Sequence, residues 1–169
     1  DNINTELIAG LPTDTPESFK NSLDSIVRLI AECITVHTLC MKRASRLTTE
    51  GVTLDLQQSR DAREMLAYTQ NILGQNEYIP YYMYRQSRMV GNLENVGWSK
   101  KGFESLYNVY VMDETHTILA CGSGGVTKLK RNNPDYLERI FNFKYPYEYI
   151  DRFDELIQRK SGIMQFYGQ

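Results

Sequence analysis

Hydrophobic positions in the first half of the chain follow two periodicities. Residues 3–9 form a short apolar run, and residues 34–39 alternate and are rich in β-branched side chains, so both segments predict strands. Between them, apolar side chains recur three or four positions apart, which predicts a helix over residues 16–32. A strand, a helix and a strand at this spacing indicate a βαβ unit with parallel strands.

Local signals mark further elements in the same half. Thr15 fits the N-cap of the first helix, and Pro16 fits its first position. A second helix is predicted over residues 62–73, and a tyrosine-rich third strand over residues 79–84. The polar, partly basic segment 41–59 between them is long enough to predict a functional loop.

The second half is less regular. Residues 86–101 are polar and show no periodicity, so no element is predicted there. Residues 106–112 are apolar and fit either a strand or a helix. The other predicted elements are strands at 117–121 and 126–130 around a glycine-rich turn, a closing element at 135–142, and a helical segment at 147–159.

Composition narrows the class of protein. The chain has 169 residues, of which 41% are hydrophobic, enough for a packed core. A net charge of -2 gives no general attraction to nucleic acid, and no apolar run is long enough to span a bilayer. We therefore expect a cytoplasmic protein that binds neither nucleic acid nor a membrane. The three cysteines, Cys33, Cys40 and Cys121, are odd in number and lie in apolar runs, which favours reduced thiols in the core.

Several ordered motifs carry a resemblance to a known family. They are Glu-Leu-Ile-Ala-Gly-Leu-Pro at residues 6–12, Thr-Pro-Glu-Ser-Phe at 15–19, the block 85–98, and Gly-Ser-Gly at 122–124. In order and spacing the chain resembles the oxygen-independent coproporphyrinogen III oxidases, and the block 85–98 resembles the coproporphyrinogen dehydrogenase-like branch. The family uses radical S-adenosylmethionine (SAM) chemistry.

The resemblance implies an α/β fold, the C-terminal part of a partial (β/α) barrel with a small α+β extension. Residues 1–85 would be the C-terminal half of the barrel, and residues 86–169 a family-specific region. It further implies a [4Fe–4S] cluster, SAM on its open iron, and a tetrapyrrole substrate in the barrel mouth. The family reaction is the oxidative decarboxylation of coproporphyrinogen III to protoporphyrinogen IX in haem biosynthesis, and the cofactor supplies the difficult chemistry.

One family feature is missing from the sequence. The Cys-x-x-x-Cys-x-x-Cys loop that would hold the cluster occurs nowhere in the 169 residues. We therefore interpret the chain as an excised part whose partner is the N-terminal barrel half of the same protein. Alone, it is expected to bind neither the cluster nor SAM and to have no catalytic activity.

The resemblance also nominates residues for the SAM site. Glu6 aligns with the acid that contacts SAM in the family, where the oxidases have Asp, and Ile8 would line the adenine or ribose pocket. Cys40 aligns with a position whose backbone meets the adenine. Gly122 and Gly124 would let backbone amides approach a carboxylate or the SAM tail, although a tight connection between strands explains them equally well.

Basic residues after two strand ends predict the substrate contact. Guanidinium and ammonium groups at a barrel mouth suit the carboxylates of a coproporphyrinogen, and tyrosine rings suit its pyrroles. The predicted carboxylate-binding residues are Lys42, Arg43, Arg46, Arg85 and Arg88, and the predicted ring contacts are Tyr81, Tyr82 and Tyr84. Exchange of Arg43 and Arg85 for Ala in the full-length protein is expected to lower tetrapyrrole affinity.

Two alternatives remain open. A member of the same superfamily could bind and deliver haem, with His37 or Cys40 as the axial ligand. A general α/β domain could instead bind another anion at the glycine-rich turn. His37 lies in the middle of a predicted strand, where a hydrogen-bonded core histidine is expected more often than a ligand, and neither it nor His116 has a second histidine at metal spacing.

Overall fold

A mixed four-stranded sheet organises the first half of the chain. Its strands are β1 (Asn4–Ala9), β2 (Cys33–Thr38), β3 (Ile79–Tyr84) and β4 (Asn95–Ser99), in the spatial order β1-β2-β4-β3. Strands β1 and β2 are parallel, as the predicted βαβ unit requires, and β4 runs antiparallel to β2 and β3. The computed structural model describes residues 3–42, 45–53, 55–87, 89–131 and 136–168.

Helix α1 (Pro16–Arg28) begins where the sequence predicts. The Thr15 hydroxyl accepts a hydrogen bond from the Ser18 amide, and the Ser18 hydroxyl accepts one from the Thr15 amide, which completes a capping box. The helix ends before the predicted residue 32, because Ile30 adopts a left-handed conformation with φ of 58° that a helix cannot continue.

Helix α3 (Leu56–Gln75) starts earlier than predicted, and a short helix α2 (Arg46–Thr49) precedes it. The segment 41–59 is therefore partly helical. Asp55 sets the start of α3, since its carboxylate accepts a hydrogen bond from the Gln58 amide at 2.8 Å and the Gln58 side chain accepts one from the Asp55 amide at 3.0 Å.

Helices α1 and α3 pack on one face of the sheet. Successive strand side chains point to opposite faces, so every second position of β1, β2 and β4 turns toward the helices. The buried core there comprises Ala9, Phe19, Leu23, Ala31, Ile34, Val36, Met65, Leu73, Tyr78 and Trp98. The intervening positions of β1, including Glu6 and Ile8, lie on the other face and are exposed.

Strand β4 corrects the prediction that residues 86–101 form no element. Its apolar residues Val96 and Trp98 alternate with Asn95, Gly97 and Ser99, which is a strand pattern that the glycine obscures. The strand belongs to a compact unit that extends over Asp1–Leu106, with Tyr107–Gln169 as the second unit. The boundary proposed at residue 85 concerns the barrel of the whole protein and stays a prediction.

The second unit combines a hairpin with short helices. Its strands β5 (Val126–Lys130) and β6 (Leu137–Phe141) pair antiparallel. The helices are α4 (Leu106–Asp113), α5 (Pro146–Asp151), α6 (Phe153–Lys160) and α7 (Gly162–Tyr167).

The strand predicted over residues 117–121 is absent there. That segment forms only an isolated bridge between Ile118 and Lys128. The Ala120 amide donates to the Thr127 hydroxyl instead of to a backbone carbonyl, so a side chain takes the place of a ladder bond.

Candidate functional site

The face of the sheet opposite α1 and α3 holds residues from all four strands, most of them polar or aromatic. They are Glu6 and Ile8 on β1, Thr35 and His37 on β2, Tyr82 and Tyr84 on β3, and Asn95 and Gly97 on β4. We call this set the polar face. Its β1 edge is accessible, since the side chain of Glu6 is 60% exposed and Ile8 is 43% exposed.

Glu6, His37 and Tyr84 form a row across the polar face. The Glu6 Oε2 atom lies 3.5 Å from His37 Nε2, and the Tyr84 hydroxyl oxygen lies 3.4 Å from His37 Nδ1. The rings of His37 and Tyr84 meet edge to face, with centroids 6.4 Å apart. The half-buried imidazole therefore has one nitrogen toward the carboxylate and the other toward the phenol.

Asn95 stands opposite Tyr84 in the antiparallel pair β3–β4. Its side-chain oxygen accepts a hydrogen bond from the Thr38 amide at 2.7 Å, which leaves its amide nitrogen as the donor to other partners. Burial raises the pKa of Tyr84, and the charge of Glu6 raises it further, whereas a hydrogen bond from Asn95 partly opposes that shift. At neutral pH the Tyr84 phenol accordingly keeps its proton.

Tyr82 lies flat against β4. A Cβ atom at Gly97 would overlap the Tyr82 ring, so only glycine lets the ring reach this position. The Tyr82 hydroxyl is 3.0 Å from that of Thr35, and its ring stacks nearly parallel to that of Tyr84, 6.4 Å away. Burial is also the main cause that raises the pKa of Tyr82.

The loops after β2 and β3 are tied together by Cys40 and Lys42. Cys40 forms an isolated antiparallel bridge with Met89, and its thiol donates to the Ser87 carbonyl at 3.2 Å. The Lys42 ammonium donates to the Gln86 side chain at 2.6 Å. Two of the nominated residues are thus brought to one end of the sheet, where strands β2 and β3 terminate.

The two predicted arginines among the described residues, Arg46 and Arg85, do not lie on the polar face. Arg85 pairs with Glu94 at 2.6 Å, and both line a cleft of about 510 Å³ beside Val36 and Trp98, on the face that the helices cover. Arg46 is 91% exposed and pairs with Glu50 one helical turn away.

Two further predicted substrate contacts, Arg43 and Arg88, lie outside the described residues. Of the predicted ring contacts, Tyr82 and Tyr84 lie on the polar face, and Tyr81 packs its ring edge to face against Tyr82 at 4.8 Å.

The glycine-rich turn belongs to the second unit, so it is considered by itself. Gly122 and Gly124 have φ of 86° and 72°, the left-handed region that favours glycine. Their amides are already used, because Gly122 donates to the Tyr149 hydroxyl at 3.2 Å and Gly124 to the Phe143 carbonyl at 2.6 Å. The turn therefore closes on its own unit rather than presenting these two amides to a ligand.

Side chains that could ligate a metal are scattered over the described part of the chain. Within the part of the chain that the structure describes, no group of three or more His, Cys, Asp or Glu side chains could hold a metal ion. The cysteines differ in exposure, with Cys33 buried, Cys40 half-buried and Cys121 exposed. The expectation of core thiols is therefore right for Cys33 and wrong for Cys121.

Among the described residues, no helix is both long enough and apolar enough to cross a membrane.

Sequence reasoning missed part of the polar face. His37 was expected to be a core histidine, and Asn95 and Gly97 fell in a segment with no predicted element. The alternation of Val96 and Trp98 was the available signal, since it places the residues between them on the face away from the helices. Nothing in the sequence alone pairs β4 with β2.

Comparisons with known proteins show what the chain is similar to. No family model matches it. It is 36% identical over 164 residues to the oxygen-independent coproporphyrinogen-III oxidase-like protein HemZ of Bacillus subtilis (strain 168), in an alignment that covers 97% of this chain and 33% of the relative. The solved structure of coproporphyrinogen III oxidase (HemN) from Escherichia coli, a radical SAM enzyme, matches 90% of this chain and 34% of its own with a TM-score of 0.53.

The two matches differ in what they establish. The structural match has 17% sequence identity and shows a shared mixed α/β fold, in line with the predicted fold class. The chain spans about one third of the length of each of these proteins. The sequence match confirms the resemblance that the ordered motifs predict: over nearly its whole length, the chain is similar to an oxygen-independent coproporphyrinogen-III oxidase-like protein.

Proposed function

We propose that this chain is the C-terminal part of a radical SAM oxidoreductase that converts coproporphyrinogen III to protoporphyrinogen IX by oxidative decarboxylation in haem biosynthesis. In the full-length protein, SAM would lie against the polar face, with Glu6 as a direct contact and Ile8 lining the adenine or ribose pocket. The [4Fe–4S] cluster would be held by another part of the protein, since this sequence has no Cys-x-x-x-Cys-x-x-Cys loop.

The position of Glu6 carries the proposal. Its side chain is 60% exposed on the sheet face opposite the core that α1 and α3 cover, and the His37 imidazole lies 3.5 Å away. A carboxylate in this setting can accept hydrogen bonds from a ligand that bears hydroxyl or ammonium groups. Ile8, two positions along β1, offers an exposed apolar side chain on the same face.

Cys40 and Lys42 extend the proposed site at the end of β2. Their loop is held to the loop after β3 by the bridge to Met89 and by the bond from Lys42 to Gln86. A ligand that lies over the polar face and extends past the strand ends would meet this edge. The contact of Lys42 with a substrate carboxylate remains part of the proposal, because the Gln86 amide leaves its positive charge uncompensated.

The observed contacts weigh against haem ligation by His37 and against an anion site at the glycine-rich turn. An axial haem ligand needs a free imidazole nitrogen, yet both nitrogens of His37 face a partner within 3.5 Å. An anion site at the glycine-rich turn needs free amides, yet those of Gly122 and Gly124 have acceptors within the second unit.

An activity assay tests the proposed function. The full-length protein is reduced and incubated anaerobically with SAM and coproporphyrinogen III, and the porphyrins are oxidised and separated by chromatography. We expect protoporphyrin from the full-length protein and none from the 169-residue chain alone. Absorbance of a haem complex without any decarboxylation would instead support the haem-binding alternative.

A further inference from the structure

The row on the polar face has a consistent direction from donor to acceptor. The Glu6 carboxylate can only accept, so His37 Nε2, which lies 3.5 Å from it, is the donor of that pair. The Tyr84 hydroxyl, 3.4 Å from His37 Nδ1, can then give its own proton to that second ring nitrogen. A histidine that accepts at Nδ1 carries its proton on Nε2, the nitrogen that faces Glu6.

We propose that His37 is a positioning residue, which Tyr84 holds in the Nε2-protonated form and which in turn fixes the Glu6 carboxylate for its ligand. This inference rests on the proposed role of Glu6 in SAM binding. It adds a hydrogen-bonding function for His37 and Tyr84, and it explains why a histidine stands between an acid and a phenol in the middle of a strand.

The distances agree with a row that tightens when a ligand binds. Separations of 3.4 and 3.5 Å are long for hydrogen bonds, as is common in polar sites before the ligand is present. Strand register limits how far the groups can move apart, because Ile8 stands opposite His37 and Glu6 opposite Thr35 in the parallel pair β1–β2. The side chain of Glu6 keeps the greater freedom, since it is 60% exposed while that of His37 is 24% exposed.

The first test reads the tautomer of His37 directly. Long-range 1H–15N correlation spectra of the 15N-labelled chain in alkaline buffer separate protonated from unprotonated ring nitrogens. We expect His37 to carry its proton on Nε2, and we expect Tyr84→Phe to shift part of the population to the Nδ1 form. His116, which stacks on Tyr110 in the second unit, supplies an internal control whose signals stay unchanged. A predominant Nδ1–H form, or no response to Tyr84→Phe, would overturn the proposal.

The second test measures SAM binding to the full-length protein. His37→Leu is expected to weaken binding by about tenfold, whereas His37→Gln, which can still donate to Glu6 and accept from Tyr84, stays within about threefold of wild type. His116→Leu is the matched control with no effect. Equal loss in the Leu and Gln variants would contradict positioning by hydrogen bonds.

Glu6→Gln separates this inference from the function on which it rests. If Glu6→Gln weakens SAM binding and His37→Leu does not, Glu6 binds SAM without help from His37 and the positioning role is wrong. If the tautomer responds to Tyr84 but Glu6→Gln leaves SAM binding unchanged, the row exists and the proposed SAM contact is wrong.

Discussion

The ring of Tyr82 lies directly on the backbone of Gly97, where any side chain would overlap it. This contact joins β3 to β4 on the polar face and brings the Tyr82 hydroxyl within 3.0 Å of Thr35 on β2. The lack of a side chain at Gly97 therefore determines the position of the Tyr82 ring, which contacts β4 and reaches β2. The stacking of Tyr82 on Tyr84 depends on that position.

Gly97→Ala is accordingly expected to destabilise the chain. The added methyl group displaces the Tyr82 ring, and overpacking of this kind costs about 1–3 kcal/mol. Urea unfolding followed by circular dichroism measures the change. Gly74→Ala is the matched control, because Gly74 lies in helix α3 with open space around its Cβ position and alanine there should stabilise by about 0.5–1 kcal/mol.

A double variant checks the cause. Tyr82→Ala removes the ring that the new methyl group would strike, so Gly97→Ala should cost much less in that background. A Gly97→Ala variant as stable as wild type, or an equal cost with and without Tyr82, would contradict the proposed packing.

Alkaline pH should weaken the fold through the tyrosines of the polar face. Burial raises the pKa values of Tyr82 and Tyr84 above the ordinary value near 10. The folded state thus holds these protons more tightly than the unfolded state, so their stabilisation is complete below about pH 10 and is lost as the pH rises through the raised pKa values. Urea unfolding between pH 9 and 11 should show this fall, and Tyr84→Phe should reduce its slope. An unchanged slope would contradict the account.

Acid pH should weaken the second unit through Glu114. The Lys128 ammonium at 2.7 Å, followed by Arg139, holds the pKa of Glu114 below its usual value of 4.5. A lowered pKa means that the stabilisation is present above the unfolded-state value and is lost as the pH falls through the folded-state value. Because Glu114 is 39% exposed, we expect less than about 1 kcal/mol.

Lys128→Met tests the Glu114 prediction. It should flatten the loss of unfolding free energy below pH 4.5, as measured by urea unfolding at several pH values. The effect of Lys128→Met on the acid-induced loss of stability is compared with that of Glu155→Gln. The pKa of Glu155 is lowered by Arg159 and Arg152, and Lys128→Met leaves both of these arginines intact. If the free energy of unfolding falls equally below pH 4.5 in wild type and Lys128→Met, the Glu114–Lys128 ion pair does not contribute to stability.

Glu94 should compete with a substrate carboxylate for Arg85. The two side chains pair at 2.6 Å, so binding of a tetrapyrrole carboxylate by Arg85 must break that pair. In the full-length protein, Glu94→Gln is expected to raise tetrapyrrole affinity by about threefold, and Arg85→Ala to lower it. Fluorescence titration measures both. Glu64→Gln, which breaks the Lys20 pair between α1 and α3, is the control. If both Arg85→Ala and Glu94→Gln leave affinity unchanged, Arg85 is no substrate contact.

Much of the fold follows from local sequence signals. The apolar periodicity and the Thr15 N-cap predict the start of α1. A short apolar run predicts β1, alternation predicts β2, and a tyrosine-rich run predicts β3, each close to its observed bounds. The placement of β4 between β2 and β3 could not be predicted, because it depends on pairing between residues some 60 positions apart in the chain, such as Val36 with Val96. Strand pairing at that separation leaves no local signature.

The candidate site divides in the same way. Glu6 and Ile8 belong to a sequence motif, and both lie on one face of β1. Arg46 and Arg85 are predicted to bind substrate carboxylates, but each forms an ion pair with an acidic side chain that the sequence does not reveal. Long basic side chains reach partners in any direction, so a position after a strand end does not determine what they bind. The role proposed for His37 depends on Tyr84, which β3 places beside it.

The affinity of the full-length protein for SAM is the most direct test of the role proposed for Glu6. Isothermal titration calorimetry under anaerobic conditions compares wild type with Glu6→Gln and Glu6→Asp. Loss of one charge-assisted hydrogen bond should weaken binding by roughly 10- to 100-fold in Glu6→Gln, while Glu6→Asp, the residue that the oxidases carry, should retain most of the affinity. Unchanged binding in Glu6→Gln would contradict the assignment of the polar face as the SAM site.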